Sequence, residues 1–209
     1  MIFEETLITD PAGFSYTMRS AVSEDAEAVA AFVKVMVTET DFLPWAPVTG
    51  MRDPEYVRNF IEEFQADPRR TFVTDWKDGE LIAICELNNF GNEKSVQHRC
   101  IVVPGVRKAY WGTGVGMTLF QTLIRLSEEL GYEQVEANVD CRNYRSYGLL
   151  HKLGYIDYGI GPRHDKDEDG TYHDVYRLVK WYDPEMDGRE RARLGGSVNI
   201  DPPDAGRGE

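Results

Sequence analysis

One short glycine run does most to limit the folds open to this chain. Trp111-Gly112-Thr113-Gly114-Val115-Gly116 places three glycines within five residues. It lies between a strand-like stretch, residues 96–106, and the most regular amphipathic helix pattern in the sequence. Val115, Leu119, Leu123, Leu126 and Leu130 recur at helical spacing, and Gly131 ends the run. A plain strand-to-helix turn requires one glycine. Three let the backbone turn sharply and leave several N–H groups unobstructed at the helix N-terminus, where they and the helix dipole suit a phosphate or pyrophosphate. Arg107 and Lys108 add positive charge just upstream. The spacing is GxGxG, unlike the GxGxxG of the first βα turn in dinucleotide-binding folds, and the sequence has no GxxxxGK[ST] phosphate loop.

The remaining elements follow from periodicity and punctuation. Phe14–Ala21 alternates as a strand, and Ser23 is expected to cap the helix that follows it. Residues 38–52, with Pro44, Pro47 and Gly50, read as a long loop. Asp53-Pro54 then opens a second helix with Tyr56, Val57, Phe60, Ile61 and Phe64 on one face. Strands at 71–76 and 81–88 flank the turn Lys77-Asp78-Gly79-Glu80. The next, 96–106, is expected to be interrupted at Pro104-Gly105, because proline cannot donate to a ladder. After the glycine-rich turn and its helix come a strand at 133–140, a helix over Arg145–Leu153 stopped by Gly154, and strands at 155–161 and 171–181 around an acidic loop, 162–170. This order implies an α+β or mixed α/β domain over residues 1–182, built on one sheet. Residues 1–13 read as a leader. Residues 183–209, rich in glycine, proline and charge and without aromatic residues, read as a flexible tail.

Charge narrows the function classes. With 23 basic and 36 acidic residues the net charge is −13 over 209 residues. That excludes the basic footprint of a nucleic-acid coat or an anionic-membrane binder. It favours a cationic or amine substrate electrostatically, or serves solubility alone. Apolar runs are short, Leu81–Cys85 for example at five residues, against about twenty for a membrane-spanning helix, and the acidic N-terminus does not read as a signal peptide. Cys85, Cys100 and Cys141 form no CxxC pair, and His98, His151, His164 and His173 have no ligand spacing. Buried thiols, a cytoplasmic location and no metal site are the expectations.

Two motifs together resemble the GNAT superfamily of acetyl-CoA-dependent N-acetyltransferases. Trp111 through Gly116 fits the family's [Q/R]-x-x-G-x-[G/A] turn, with Trp111 in the Gln/Arg position. Val139-Asp140-Cys141-Arg142-Asn143, followed by a short helix ending in Leu153-Gly154-Tyr155, is similar to its second signature. Thr38 through Leu43 and Tyr172-His173-Asp174 match weaker family patterns. The resemblance spans about residues 14–182. It implies a mostly antiparallel central sheet of about seven strands, splayed in a V between the fourth and fifth and flanked by about four helices.

It also implies a site. The pantetheine arm of acetyl-CoA, the acyl-donor substrate, would lie along the fourth strand at Val106. Trp111 would head the cofactor-binding turn, backbone N–H groups of Gly112, Thr113, Gly114, Val115 and Gly116 would hold the acetyl-CoA pyrophosphate, and Asn143 would orient the cofactor near the thioester. The acceptor would be a primary amine of a small molecule or peptide, attacking directly in a ternary complex. The chain departs from the family at three points. Leu150 stands where the family's acid tyrosine falls, leaving Tyr147 one turn earlier as the substitute. Ile101-Val102-Val103 lacks the usual strand glutamate, leaving Glu39 on the acceptor loop as proton acceptor. Pro104 replaces an aliphatic. Glu86 and His98 fall toward the hairpin end if residues 81–87 pair with 96–102, with His98 roughly 26 Å from Val106. A non-catalytic acyl-CoA-binding module and a dinucleotide-dependent oxidoreductase are the alternative readings. The family's habit of dimerising leaves a homodimer open.

Overall fold

The computed structural model describes residues 3–9, 13–42, 49–167 and 169–194. They group into two compact units, Met1–Tyr132 and Glu133–Glu209.

In the first unit, strands β1 (Thr6–Thr9), β2 (Ser15–Ser20), β3 (Thr71–Lys77), β4 (Glu80–Asn89) and β5 (Arg99–Val106) pair in that order, each antiparallel to the next. Helices α1 (Ala26–Glu39) and α2 (Pro54–Ala66) cover one face, and α3 (Val115–Glu129) packs against β4 and β5. The leader therefore contains a strand. It gave no periodic signal because β1 is an edge strand whose Leu7 is exposed. Ser23 does not cap α1. Its hydroxyl donates to Glu62, while the Asp25 carboxylate accepts the Val22 N–H at 2.9 Å and is held by both guanidinium ends of Arg19 at 2.6 and 2.7 Å. Asp53 does cap α2, accepting from the Glu55 N–H with Pro54 in the first turn. The α2 face bearing Val57, Ile61 and Phe64 is buried with Phe32, Val33 and Met36 of α1 and Phe72 of β3, whereas Tyr56 stays exposed.

Two features of β4 and β5 differ from the sequence reading. First, β5 is not interrupted. Cys85↔Pro104 and Ile84↔Gly105 continue the register of Glu86↔Val103 without a shift. The Arg107 N–H donates to the Ile82 carbonyl in that register. Hydrogen-bonded and non-hydrogen-bonded pairs alternate in an antiparallel ladder, so the backbone N atoms of Gly105 and Val103 face β4, and those of Pro104 and Val106 face away. The proline's missing N–H costs no β4–β5 bond. Second, the register differs by six residues from the expected pairing, so Glu86 stands opposite Val103 rather than far down the hairpin. The connection between the strands absorbs residues 90–98, including His98.

The second unit contains β6 (Gln134–Asp140), α4 (Tyr144–Lys152), β7 (Ile156–Lys166), β8 (Tyr172–Trp181) and α5 (Pro184–Leu194), with β8 pairing antiparallel to both β6 and β7. The acidic loop is shorter than its composition suggested. Asp165 and Lys166 continue the ladder opposite His173 and Tyr172, past an irregularity after Gly161. The segment read as a flexible tail begins with a helix: α5 packs against β7 and β8, and the Arg191 guanidinium donates to the Gly154 carbonyl at 2.6 Å. The rest of that tail, and residues 43–48 of the acceptor loop, lie outside the described residues.

Candidate functional site

The glycine-rich turn takes the conformation its composition demands. Gly112 and Gly114 both have positive φ, 82° and 94°. A Cβ at Gly114 would meet nothing within 4 Å, so the residue is required for its left-handed backbone and not for close packing. Gly114 is the residue that precedes α3, no side chain caps the helix, and its first turn contains no acid. The opening N–H groups of a helix have no intrahelical acceptors. Val115 and Gly116 therefore present uncapped donors at the positive end of a 15-residue helix.

Contacts to β5, within the turn and to α1 hold this turn in place. The Trp111 indole N–H donates to the Val106 carbonyl at 2.7 Å, on the edge of β5 that faces away from β4. Thr113 Oγ1 donates to the Tyr110 carbonyl at 2.7 Å. Glu39, the last residue of α1, accepts from Arg107 Nε at 3.0 and 3.2 Å and from the Lys108 backbone N–H at 2.8 Å. Arg107 Nη1 also reaches Glu80 at 3.3 Å. The guanidinium is thus committed to two carboxylates instead of standing as spare charge beside the phosphate turn. Glu39, with both oxygens engaged, is a brace between α1 and the turn.

Asn143 and Tyr147 lie in the second unit, on the first turn of α4. Asn143 Oδ1 accepts the Ser146 N–H at 3.1 Å, so its carbonyl caps the helix and its amide N–H₂ is the donor left to orient a ligand. Tyr147 donates to Asp157 Oδ2 at 3.0 Å, and its ring packs on His151 and Tyr176 with centroids 4.4 and 4.5 Å away. Burial, followed by the Asp157 hydrogen bond, pushes its phenol well above the usual tyrosine range. That opposes proton release and argues against Tyr147 as the acid. Leu150, at the family's tyrosine position, is fully buried core.

Glu86 is the residue that the sequence reading set aside. It is half-buried on β4 between Phe72 of β3 and Val103 of β5. Burial raises its carboxyl to about 7, against the opposing charge of Arg70. Periodicity alone could not have placed it, because the pairing of β4 with β5 depends on how many residues the connecting loop consumes. Among the described residues no group of three His, Cys, Asp or Glu side chains could hold a metal ion, and no helix is long and apolar enough to cross a membrane.

A mixed α/β fold with an uncapped, glycine-built anion turn between a strand and a helix defines a class of protein suited to a phosphate-bearing ligand. Residues 37–155 match the model of the acetyltransferase (GNAT) family, more than half of the chain, and the protein belongs to that family. Among curated relatives, YwnH of Bacillus subtilis, provisionally named a phosphinothricin acetyltransferase, is 25% identical over 148 residues, covering 70% of this chain and 87% of its own. Uncharacterized N-acetyltransferase Rv2669 of Mycobacterium tuberculosis is 25% identical over 129 residues, covering 54% of this chain and 80% of its own. Among solved structures, a GNAT-family acetyltransferase of Streptococcus pneumoniae superposes with a TM-score of 0.72 at 24% identity, covering 79% of this chain and 99% of that one. YncA of Salmonella typhimurium, solved with its cofactor acetyl-CoA, superposes with a TM-score of 0.70 at 19% identity, covering 81% and 95%.

Proposed function

We propose that this protein is an acetyl-CoA-dependent N-acetyltransferase that transfers the acetyl group to a primary amine by direct attack in a ternary complex. The observation that carries this reading is the start of α3, where two left-handed glycines, no capping side chain and no first-turn acid leave donors for a pyrophosphate. Gly112, Thr113, Gly114, Val115 and Gly116 form the pyrophosphate cradle, and Trp111, whose backbone N–H donates to the Lys108 carbonyl and whose indole N–H donates to the Val106 carbonyl, braces it instead of donating to the ligand. The pantetheine arm lies along the edge of β5 that faces away from β4, where Val106 offers its N–H. Its carbonyl is already taken by Trp111. The Asn143 amide orients the donor. The thioester carbonyl is polarised by an N–H on the same edge, supplied by Val106 or Val102, since Pro104 between them has none. Glu39 acts as a brace for the cradle, and the thiolate leaves without help from Tyr147.

The charge of −13 favours a cationic acceptor such as a polyamine, an aminoglycoside or a basic peptide N-terminus. Calorimetric titration with acetyl-CoA, with NAD as control, tests the reading. Micromolar binding that is lost in Gly114→Glu, where a carboxylate is placed against the pyrophosphate, is the expected result. Failure of the wild type to bind acetyl-CoA refutes it. Binding without thiol release across a panel of amines favours a non-catalytic acyl-CoA module, a reading motivated by Leu150 and by the absence of an acid at residues 101–103.

A further inference from the structure

The two faces of β4 and β5 are covered unequally. On one face, Cys85, Leu87, Cys100 and Val102 are all buried. On the other, Ile84 packs against the α1–α2 cluster, and a Cβ at Gly105 opposite it would meet Ile84, Met36 and Phe32 within 4 Å. Beyond that rung the cover thins. Glu86 and Asn88 on β4, and Ile101 and Val103 on β5, are only half-buried, although β4 is an inner strand. Side chains alternate across a strand, so Glu86 shares the face of Ile84 and stands on an apolar shelf floored by Ile101 and Val103. Phe72 and Val103 flank it, and Arg70, just ahead of β3, is the opposite charge acting on it. Among the described residues no hydrogen bond or ion pair engages its carboxylate.

We propose that Glu86 is the catalytic base of the transfer and the anchor for the acceptor, receiving a substrate ammonium on the β4–β5 shelf. The proposal rests on the acetyltransferase reading above. A pantetheine arm that leaves the start of α3 and runs back along β5 from Val106 reaches the rung of Val103 and Glu86 three residues on, about 10 Å along the strand. There the Glu86 carboxylate takes one proton from the ammonium. The neutral amine nitrogen forms the C–N bond to the thioester carbon, the C–S bond breaks, and the electron pair leaves with the CoA thiolate. The second nitrogen proton neutralises that thiolate, and Glu86 releases its proton to solvent. An apolar floor also selects the acceptor: a primary ammonium on an aliphatic or aromatic body fits it, and a zwitterion with its carboxylate beside the amine does not. A carboxyl raised by burial toward neutrality is matched to this proton transfer.

The test compares wild type, Glu86→Gln and Glu86→Asp by thiol release with a panel of spermidine, an aminoglycoside, a lysine ester, phosphinothricin and a basic peptide. Acetyl-CoA binding is measured by calorimetry in parallel. Expected are acetyl-CoA affinity unchanged within twofold in both variants, a drop of about 100-fold in kcat/KM for the best amine in Glu86→Gln, loss of the acidic limb of its pH profile, and partial rescue in Glu86→Asp. Retained turnover with an unchanged acidic limb in Glu86→Gln overturns the proposal while leaving the acetyltransferase reading intact. A wild type that binds acetyl-CoA yet acetylates no amine of the panel overturns this proposal and favours the non-catalytic acyl-CoA module. A wild type that fails to bind acetyl-CoA refutes that reading and this proposal with it. The ¹³C-carboxyl resonance lost in Glu86→Gln gives a readout independent of substrate. It is expected to titrate close to neutrality, and a midpoint in the ordinary glutamate range overturns the assignment.

Discussion

Replacing Asp75 with Asn should stabilise the protein, and by an amount that grows with pH. Asp75 lies in the middle of β3, opposite Ala83 of β4 and Met18 of β2, and has no solvent exposure. Neither carboxylate oxygen has a hydrogen-bond partner. With no compensating charge, burial raises its carboxyl from 3.8 to about 8, so the folded protein holds this proton at neutral pH and the unfolded chain does not. The folded state then binds more protons than the unfolded state between about pH 4 and pH 8, and stability falls as pH rises through that window. Below it both states are protonated, and above it the full penalty applies. One pKa unit is about 1.4 kcal/mol, so the penalty at pH 7 comes to about 4 kcal/mol. Asn keeps the shape and a pair of unpartnered polar groups but has no proton to lose. Paired urea melts of wild type and Asp75→Asn should therefore differ little near pH 4, and the difference in unfolding free energy should widen by about 4 kcal/mol between pH 5 and pH 8. A difference that stays constant across this range, or a variant less stable at pH 8, would refute the reasoning. It would show that Asp75 finds a partner that keeps it ionised.

Other perturbations separate bracing from chemistry. Glu39→Gln weakens the charge-assisted bonds to Arg107 and the Lys108 N–H. It should lower acetyl-CoA affinity several-fold by calorimetry while leaving the acidic limb of the pH–rate profile in place; loss of that limb would make Glu39 the base. Pro104→Ala adds an N–H on the edge of β5 that faces away from β4. It should lower stability by about 0.5–1 kcal/mol through the freer unfolded chain and raise turnover several-fold by adding a donor for the thioester. A gain in stability would mean that the new N–H bonds β4 and that the register is misread.

Legibility followed the range of the interactions involved. The turn at Gly112–Gly116 and the Asp53-Pro54 start of α2 are set within a few residues by backbone geometry and local hydrogen bonds, and each could be read from the string. Strand β1 and helix α5 could not. Both are held mainly by tertiary contacts: β1 by its ladder to β2 and by the Phe3 N–H donating to Ser20 Oγ, α5 by Arg191 on the Gly154 carbonyl and by packing on β7 and β8. Neither has a buried apolar stripe to announce it. The acidic composition of residues 162–170 suggested a loop, and cross-strand pairing overrode that suggestion as far as Lys166.

The site residues divide along the same line. The proposed cofactor cradle is a local motif, so its glycines stand out in the string, and the family resemblance supplies their expected role. The proton acceptor is not local. Its identity depends on which residue of β4 stands beside which residue of β5, and a six-residue change in register carries Glu86 from a remote hairpin end to the rung three residues from Val106. The same register turns the Pro104 nitrogen away from β4, which explains how a proline stands in an unbroken strand and why one donor is missing from the edge where the thioester is expected. Both departures from the family pattern therefore follow from one long-range quantity. A chain whose β5 has neither an acid at residues 101–103 nor a donor at 104 can still run the reaction, with the acid on β4 and the donor at Val102 or Val106. Under this account Glu86→Gln should abolish the acidic limb whether or not Pro104 is replaced, and Pro104→Ala should raise the rate by the same factor in wild type and in Glu86→Asp. Strong non-additivity between those two changes would mean that they act on one step through a shared contact, and would refute the separation of proton acceptor from carbonyl donor.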